Sequence, residues 1–340
     1  MPEILPELLQ RGLIGLVPVV FFLIVLVLFD SYKLVSLRLV VTAILLGGLM
    51  ALPSYVLHTL ILRTTDISFE QLTRYGAPVV EELLKGAVII YFIARNRIGF
   101  LVDASIFGFA VGAGFALIEN LYYLGALPDA GIGVWIVRGF GTAVMHGGAT
   151  AIFAVASQAF AEQREHPRVL DFLPGLVVAA LIHSLYNHFF LSPVLSTVIV
   201  MAVMPVTAIV VVELSERTVE RWLDVGFDSD AQLLALIRSG QLTDSPVGRY
   251  LQSLREHFQP EVLVDLICYL RLRVELALRA KGLLMMQENG FKVEIPQEVQ
   301  ASLVELRHLE KSIGPTGLLA LKPFLQVSRK DLWQLSLLAK

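Results

Sequence analysis

The chain has 340 residues, of which 56% are hydrophobic and only 17% are charged. Soluble domains carry about 25% charged residues, so part of this chain must be solvated by lipid. The region after Leu214 has equal numbers of acidic and basic residues, which gives no indication of a nucleic-acid partner. The single cysteine, Cys268, excludes an internal disulfide framework.

Long apolar runs fill the chain from near its N-terminus to Leu214. About 20 apolar residues suffice to cross a bilayer as a helix. Seven runs meet this length, and the predicted spans are 12–29, 38–62, 75–94, 101–125, 132–160, 171–191 and 193–214. The run 75–94 is the most polar of them, because it contains Glu81, Glu82 and Lys85. We therefore predict an all-α, polytopic membrane helix bundle.

The charges of the short loops predict the orientation of this bundle. Basic residues recur in alternate loops, at Lys33, Arg38, Arg95, Arg97, Arg164 and Arg168, whereas the loops near 126–131 and 191–193 contain neither Lys nor Arg. The positive-inside rule then predicts a multi-pass cell-membrane protein with its N-terminus outside and its C-terminal region in the cytoplasm. The loop 63–74, which carries Arg63 and Arg74, is a mild exception.

The region 215–340 differs from the apolar part because charges recur every few residues. Helix start and stop signals predict one helix from the Asp228-Ser229 N-cap to Gly240, a second opening at Ser245-Pro246, and two longer ones over Pro260–Asn289 and Pro296–Ile313. We predict a transmembrane peptidase-like domain over 1–214 and a soluble, helical cytoplasmic domain over 215–340.

Polar side chains inside the apolar runs are candidates for function, because each ionisable residue costs roughly 2.5–3.5 kcal/mol on insertion scales. The group comprises Glu81, Glu82, Lys85, Glu119, Asn120, His146, His183 and Asn187. The four runs that carry them alternate in direction, yet each places its polar residues in the outer half of the bilayer. Glu81 and Glu82 lie four and three residues before Lys85, so one ammonium can reach either carboxylate. We therefore predict that these residues gather into one cluster.

The residue types of this cluster favour hydrolysis. A buried carboxylate can act as a general base on water, and two imidazoles can polarise a carbonyl or orient that water. His146 and His183 together with Glu119 also have the composition of a zinc site with three protein ligands and one open position. No H-E-x-x-H or G-x-S-x-G motif occurs in the chain, which argues against the metalloproteases and serine hydrolases that use those motifs.

Four motifs in chain order resemble those of the PrsW family of bacterial intramembrane proteases, within the wider group of CAAX-processing and bacteriocin-processing membrane peptidases. They are the double glutamate Glu81-Glu82 with Lys85, Phe115-x-x-x-Glu119 followed by Asn120, the histidine His146, and His183-x-x-x-Asn187. A glutamate at 119, where CAAX peptidases have histidine, is similar to the PrsW branch. The likeness extends over about 75–190.

The resemblance implies cleavage of a membrane-anchored protein, such as an anti-sigma factor or another single-span regulator, near the extracytoplasmic face. By analogy, Glu81 or Glu82 would be the base, and His146 and His183 would bind water, oxyanion or metal. Glu119, Asn120 and Asn187 would complete the site, with Lys85 balancing charge. Two adjacent residues point about 100° apart on a helix, so we expect only one glutamate to face the histidines squarely.

Two other classes of function remain open from the sequence. Buried Glu and His also form proton relays in transporters, and an ion- or proton-coupled transporter predicts polar groups in both halves of the bilayer. A catalytically inactive membrane scaffold of the same family would keep the bundle and use the helical region 215–340 to recruit a partner.

Overall fold

The computed structural model describes residues 4–32, 34–162, 167–291, 295–324 and 329–338. Helices joined by short connections make up this part of the chain, and no β-strand occurs in it. The prediction of an all-α fold is confirmed. Lys33 and Arg164, on which the predicted orientation partly depends, lie outside the described residues.

The chain separates into two compact units, Met1–Glu216 and Arg217–Lys340. The helices of the first unit are α1 (Ile4–Leu28), α2 (Leu37–Thr64), α3 (Phe69–Gln71), α4 (Ala77–Ala94), α5 (Leu101–Ala126), α6 (Ile132–Ile136), α7 (Ala143–Glu162), α8 (Leu173–His188) and the first part of α9 (Pro193–Arg238). Two π-helical segments, Leu72–Gly76 and Val137–Thr142, join α3 to α4 and α6 to α7 and are called the first and second π segments.

Among the described residues, six helical stretches are long and apolar enough to cross a membrane, and they are Pro6–Leu28, Leu37–Thr64, Leu101–Ala126, Ile132–Glu162, Val169–His188 and Pro193–Arg238. The predicted span 75–94 corresponds to α4, which is not among these six and carries three ionisable residues, Glu81, Glu82 and Lys85, within 18 residues. Length is no obstacle, because the continuous helical stretch 69–94 extends about 39 Å and a hydrocarbon core is about 30 Å thick. The seventh span stays a prediction.

Helix α5 lies at the centre of the first unit and packs against α2 and α7. Every residue from Val102 to Ala116 is buried. Small residues permit this close packing in lipid: a Cβ added at Gly108 would lie 2.6 Å from the Ala151 Cα of α7. On the opposite face, a Cβ added at Gly114 would lie 2.8 Å from the Ile44 carbonyl carbon of α2.

The second unit contains the end of α9 and α10 (Pro246–Ser253), α11 (Pro260–Glu288), α12 (Gln297–Leu321) and α13 (Arg329–Leu338). Its own apolar core includes Leu266, Leu270, Leu276 and Leu306. The Ser245 side chain accepts a hydrogen bond from Gly248 N at 3.1 Å, so the predicted cap at Ser245-Pro246 is confirmed.

One predicted helix boundary in this region is wrong, and another is marked by a kink. Asp228-Ser229 does not begin a helix, because α9 passes through it without a break. The only glycine between Leu214 and Arg238 is Gly226, and one glycine costs about 1 kcal/mol in a helix, too little to interrupt so long a run. The end predicted at Ile313 is confirmed, because Gly314 has a non-helical backbone with φ of 64° and a kink there separates Gln297–Ile313 from the turns that follow within α12.

Candidate active site

The two adjacent glutamates of α4 are both buried and have different surroundings. Glu82 is fully engaged, because its Oε1 accepts from Lys85 Nζ at 2.5 Å and lies 3.0 Å from His183 Nδ1. Its Oε2 lies 3.3 Å from the Thr150 hydroxyl. Lys85, itself completely buried, therefore pairs with the glutamate three residues before it.

Glu81 has a free oxygen. Its Oε2 is buried and has no hydrogen-bond partner among the described residues, but it lies 4.0 Å from His146 Nδ1 and 3.9 Å from His183 Nε2. Its Oε1 lies 3.9 Å from Nε2 of His58 on α2. The expectation that only one glutamate meets the histidines has to be amended: Glu81 faces both imidazoles, and Glu82 contacts the far nitrogen of one.

The two imidazoles meet edge to face, with ring centroids 4.6 Å apart. His183 donates from Nδ1 to Glu82, because a carboxylate only accepts, and its Nε2 is left toward Glu81. His146 Nδ1 accepts from the Lys85 ammonium at 3.1 Å, so its proton lies on Nε2, 3.2 Å from Glu119 Oε2. Each imidazole is thus held by a different carboxylate on the side away from Glu81.

The motif Phe115-x-x-x-Glu119 presents two side chains to the same imidazole. Residues four apart share a helix face, and the Phe115 ring centroid lies 5.5 Å from that of His146. Lys85 Nζ lies 4.8 Å from the centroid of the Phe115 ring. Phe115 therefore provides an apolar wall beside Lys85 and His146, while Glu119 meets the imidazole at Nε2.

The two predicted asparagines lie at the periphery. Asn120 donates from Nδ2 to Gly15 O of α1 at 2.7 Å and accepts from Arg138 Nε at 2.9 Å. Asn187 donates to Thr73 O at 3.0 Å, and Ser184 donates to Arg74 O at 2.6 Å. These last two contacts bind carbonyls of the first π segment and so hold the N-terminal end of α4, which carries both glutamates.

Three residues at the site were not singled out from the sequence. Arg138 and His58 lie inside predicted spans. Because burying an ionisable group in a membrane is costly, both could have been selected from the sequence as candidates. Thr150 contacts Glu82 and also lies 3.0 Å from His146 O, but a hydroxyl in a span is common and usually bonds its own helix. No sequence pattern distinguishes Thr150 from such a hydroxyl.

The charges of the cluster nearly balance. Three carboxylates, those of Glu81, Glu82 and Glu119, face two permanent partners, Lys85 and Arg138. With both imidazoles neutral, one net negative charge remains in a low-dielectric surrounding. One proton would neutralise this charge, and one bound dication would reverse its sign. Within the cluster, the carboxylate oxygens without a hydrogen-bond partner among the described residues are Glu81 Oε2 and Glu119 Oε2.

The donor atoms suit a metal ion. Glu81, His146 and His183 offer ligand atoms that all lie within 4.8 Å of one another, and these three are the group found among the described residues. One carboxylate and two imidazoles are a catalytic zinc set, and a carboxylate behind each imidazole is the usual supporting arrangement. Glu119, predicted as the third ligand, meets His146 on the opposite nitrogen. Lys85 would compete with a metal for His146 Nδ1.

Buried carboxylates and imidazoles inside a bundle of apolar helices are the kind of site expected of an intramembrane hydrolase. The sequence matches the model of the PrsW family of intramembrane metalloproteases over residues 35–212. The chain belongs to this family, and it is a multi-pass membrane protein of an intramembrane protease family. No curated protein and no solved structure matches the chain.

Proposed function

We propose that the chain hydrolyses a peptide bond of a membrane-anchored protein near the extracytoplasmic face, with Glu81, His146 and His183 as the reacting centre. One observation carries the proposal. The unpartnered Oε2 of Glu81 faces Nδ1 of His146 and Nε2 of His183 at 4.0 and 3.9 Å, and these three atoms converge on one point inside an apolar bundle.

Glu81 is the residue we propose as the general base. Its free oxygen can take the proton of a water molecule held between it and His183 Nε2, a role that Glu82 cannot share because both its oxygens are engaged. Lys85 is the nearest cation to this point and can stabilise negative charge that develops on the substrate carbonyl oxygen. Glu82 and Glu119 orient the two imidazoles.

Glu81, His146 and His183 are also the residues that would hold zinc. The ion would act as a Lewis acid and raise the acidity of bound water. The chemistry of the donor set favours a metal, whereas Lys85 at 3.1 Å from His146 Nδ1 is equally consistent with a metal-independent hydrolase. The two forms of the proposal share the same three residues.

The position of the cluster supports cleavage near the outer face. Glu81 lies four residues from the beginning of α4, and His183 lies five from the end of α8. Exposed tyrosines, which favour membrane interfaces, lie near the same ends at Tyr55, Tyr75 and Tyr122. The side chains of His58 and Glu119 are 20% and 25% exposed, so the cluster opens on this side.

A single-span protein is the substrate class that fits this depth. The scissile bond must reach a cluster within about two helical turns of the outer ends of α4 and α8, so it would lie at the outer end of a transmembrane segment or just beyond it. Anti-sigma factors and other single-span regulators have such segments, and we propose this class.

The contacts of the inner polar residues count against a transporter. Asp103 accepts from the backbone N–H groups of Gly99 and Phe100 at 2.9 and 3.2 Å, and Gln158 donates to Gly99 O at 3.1 Å. These side chains cap the beginning of α5. Their hydrogen bonds go to the backbone, as expected for structural side chains, whereas a proton relay needs ionisable groups that contact one another.

Comparison of membrane proteomes tests the protease proposal. Cells that produce the wild type, Glu81→Gln, His183→Ala or Glu70→Gln would be compared with cells that lack the protein. We expect single-span proteins to yield fragments with the wild type and with Glu70→Gln, whose carboxylate is exposed and pairs with Arg74. Glu81→Gln and His183→Ala should abolish these fragments, and equal fragments in both would refute the proposal.

Metal analysis of purified protein separates the two mechanisms. If zinc is bound, we expect about one ion per chain in the wild type and less than a tenth of that in His183→Ala. His188→Ala is the matched control on the same helix, since His188 bonds Ser184 O and packs on Tyr75. Active protein without stoichiometric metal would establish the metal-independent form.

A further inference from the structure

We propose that Arg138 is a positioning residue that acts through Glu119 on His146; this inference rests on the proposed function and adds a residue to its site. Arg138 lies in the second π segment, eight residues before His146. Its side chain is only 14% exposed, although it carries a permanent charge inside a predicted span.

Three side chains of the outer third of α5 hold the guanidinium. Nη2 lies 3.3 Å from Glu119 Oε2, Nε donates to Asn120 Oδ1 at 2.9 Å, and Cζ lies 3.8 Å from the centroid of the Tyr123 ring. One nitrogen of the guanidinium is therefore hydrogen-bonded, a second lies at ion-pair distance from a carboxylate, and its flat face is covered by a ring. We call Arg138, Glu119, Asn120 and Tyr123 the arginine clamp.

The arginine clamp is attached to the backbone of α1. Asn120 donates to Gly15 O at 2.7 Å, and a Cβ added at Gly139, next to Arg138, would lie 3.0 Å from the Ile14 carbonyl carbon. The π geometry contributes as well, because a π-helical turn holds one more residue than an α-helical turn and redirects the residues before it. Arg138 is thereby directed at α5 by neighbours on two helices.

The clamp determines where the Glu119 carboxylate points. Glu119 is 25% exposed and, without a cation beside it, would gain by turning toward water. Arg138 keeps it 3.2 Å from His146 Nε2, which leaves Nδ1 directed at Glu81. Residues that orient a ligating or catalytic histidine through its second nitrogen typically contribute 10–100-fold to metal affinity or activity.

Lysine should not replace Arg138. A lysine ammonium is a point charge without the planar fork that contacts Glu119 and Asn120 together, and it stacks less well on Tyr123. A purely electrostatic role, in which any cation beside Glu119 suffices, would instead tolerate lysine. The two substitutions Arg138→Lys and Arg138→Gln therefore separate positioning from charge balance.

A double-mutant cycle tests the proposal on a single-span reporter built from the segment whose cleavage requires Glu81. We expect Arg138→Gln, Arg138→Lys and Glu119→Gln each to reduce the cleavage rate about 10–100-fold. The double variant Arg138→Gln/Glu119→Gln should be no slower than Glu119→Gln alone, because the arginine acts through that carboxylate. Arg74→Gln, which breaks an exposed arginine–glutamate pair at the same surface, is the control and should cleave normally.

A second readout needs no activity. In protein labelled with ¹⁵N-histidine, the Nε2–H signal of His146, assigned by its loss in His146→Ala, should be sharp in the wild type. In Arg138→Gln it should broaden by exchange with water. Three outcomes would each overturn the proposal. They are normal cleavage by Arg138→Lys, a double variant whose loss of cleavage rate is the product of the two single losses, and an Nε2–H signal that is unchanged in Arg138→Gln. Absence of any Glu81-dependent cleavage would overturn the proposed function instead, and the Nε2–H signal would then decide on Arg138.

Discussion

Glu81 and Glu82 are neighbours in the sequence, but their carboxylates differ in their hydrogen-bond partners. Glu82 has partners for both oxygens, from Lys85, His183 and Thr150. Glu81 has an oxygen with none among the described residues. Their different directions follow from the 100° step of a helix, but which one is satisfied depends on the helices packed around α4. The structural and the proposed catalytic carboxylate are therefore separate residues.

Substitution of each glutamate should separate stability from activity. Glu82→Gln leaves the ammonium of Lys85 buried without its counter-charge, and breaking such a pair costs about 3–5 kcal/mol, so its thermal unfolding temperature in detergent should fall by several degrees. Glu81→Gln removes a charge without a hydrogen-bond partner and should leave that temperature unchanged or raise it. Glu70→Gln is the exposed control. Equal destabilisation by both buried substitutions would show that Glu81 is also part of the structural network.

Sequence predicts contacts within one helix better than contacts between helices. The pairing of Lys85 with a glutamate follows from their spacing, and the gathering of Glu81, His146 and His183 follows from their common depth. The identity of the carboxylate beside both imidazoles does not: the choice between Glu81 and Glu82 stayed open, Glu119 was expected as the third metal ligand, and Glu81 is the carboxylate grouped with both histidines. Rotation of each helix about its axis decides this, and small residues on several faces of α5 leave that rotation undetermined.

At the scale of the helix, α5 sets the position of His146 through backbone contact. A Cβ added at Gly112 would lie 2.7 Å from the His146 carbonyl carbon. We expect Gly112→Ala to move α7 away from α5, to destabilise the protein by about 1–3 kcal/mol as other overpacked cores do, and to reduce cleavage. Thermal unfolding and reporter cleavage measure the two effects.

Gly125→Ala is the matched control for this prediction. Gly125 lies on the same helix, and nothing is within 4 Å of its added Cβ. Because alanine has a higher helix propensity than glycine, this variant should be unchanged or slightly more stable. Similar losses at both positions would mean that the glycines matter for helix flexibility and not for the contact with α7.

Helix ends were predictable where a single residue requires a special backbone. Gly240 and Gly290 have φ of 73° and 79°, and helices end just before both, as their sequence positions indicate. The failure at Asp228-Ser229 has the opposite cause, because a capping residue is effective only where the preceding chain leaves the helix. Between Leu214 and Asp228, no residue requires a backbone conformation that would end α9.

For the whole molecule, the predicted orientation has a direct test. In a Cys268→Ser background, a membrane-impermeant maleimide added to intact cells should label Asp129→Cys, whose loop joins α5 to α6. It should label Val169→Cys, exposed before α8, only after the cells are permeabilised. The reverse pattern would place the cluster near the cytoplasmic face and would refute extracytoplasmic cleavage.

The division into units was partly readable from composition. Charges become frequent after Leu214, and the two compact units separate after Glu216. Every residue of the proposed site belongs to the first unit. The cytoplasmic location of the second unit and its part in recruiting or sensing a partner stay predictions, since its described residues form an independent apolar core without a comparable polar cluster.

The second π segment also affects how related chains can be compared. Removing one residue from Val137–Thr142 would restore the ordinary helical repeat and turn everything before the deletion by about 100°. Arg138 would then point away from Glu119 even though both residues were still present. A sequence search for the arginine clamp should therefore fix the number of residues between Arg138 and His146 as well as their identities, because a one-residue gap there removes the contact.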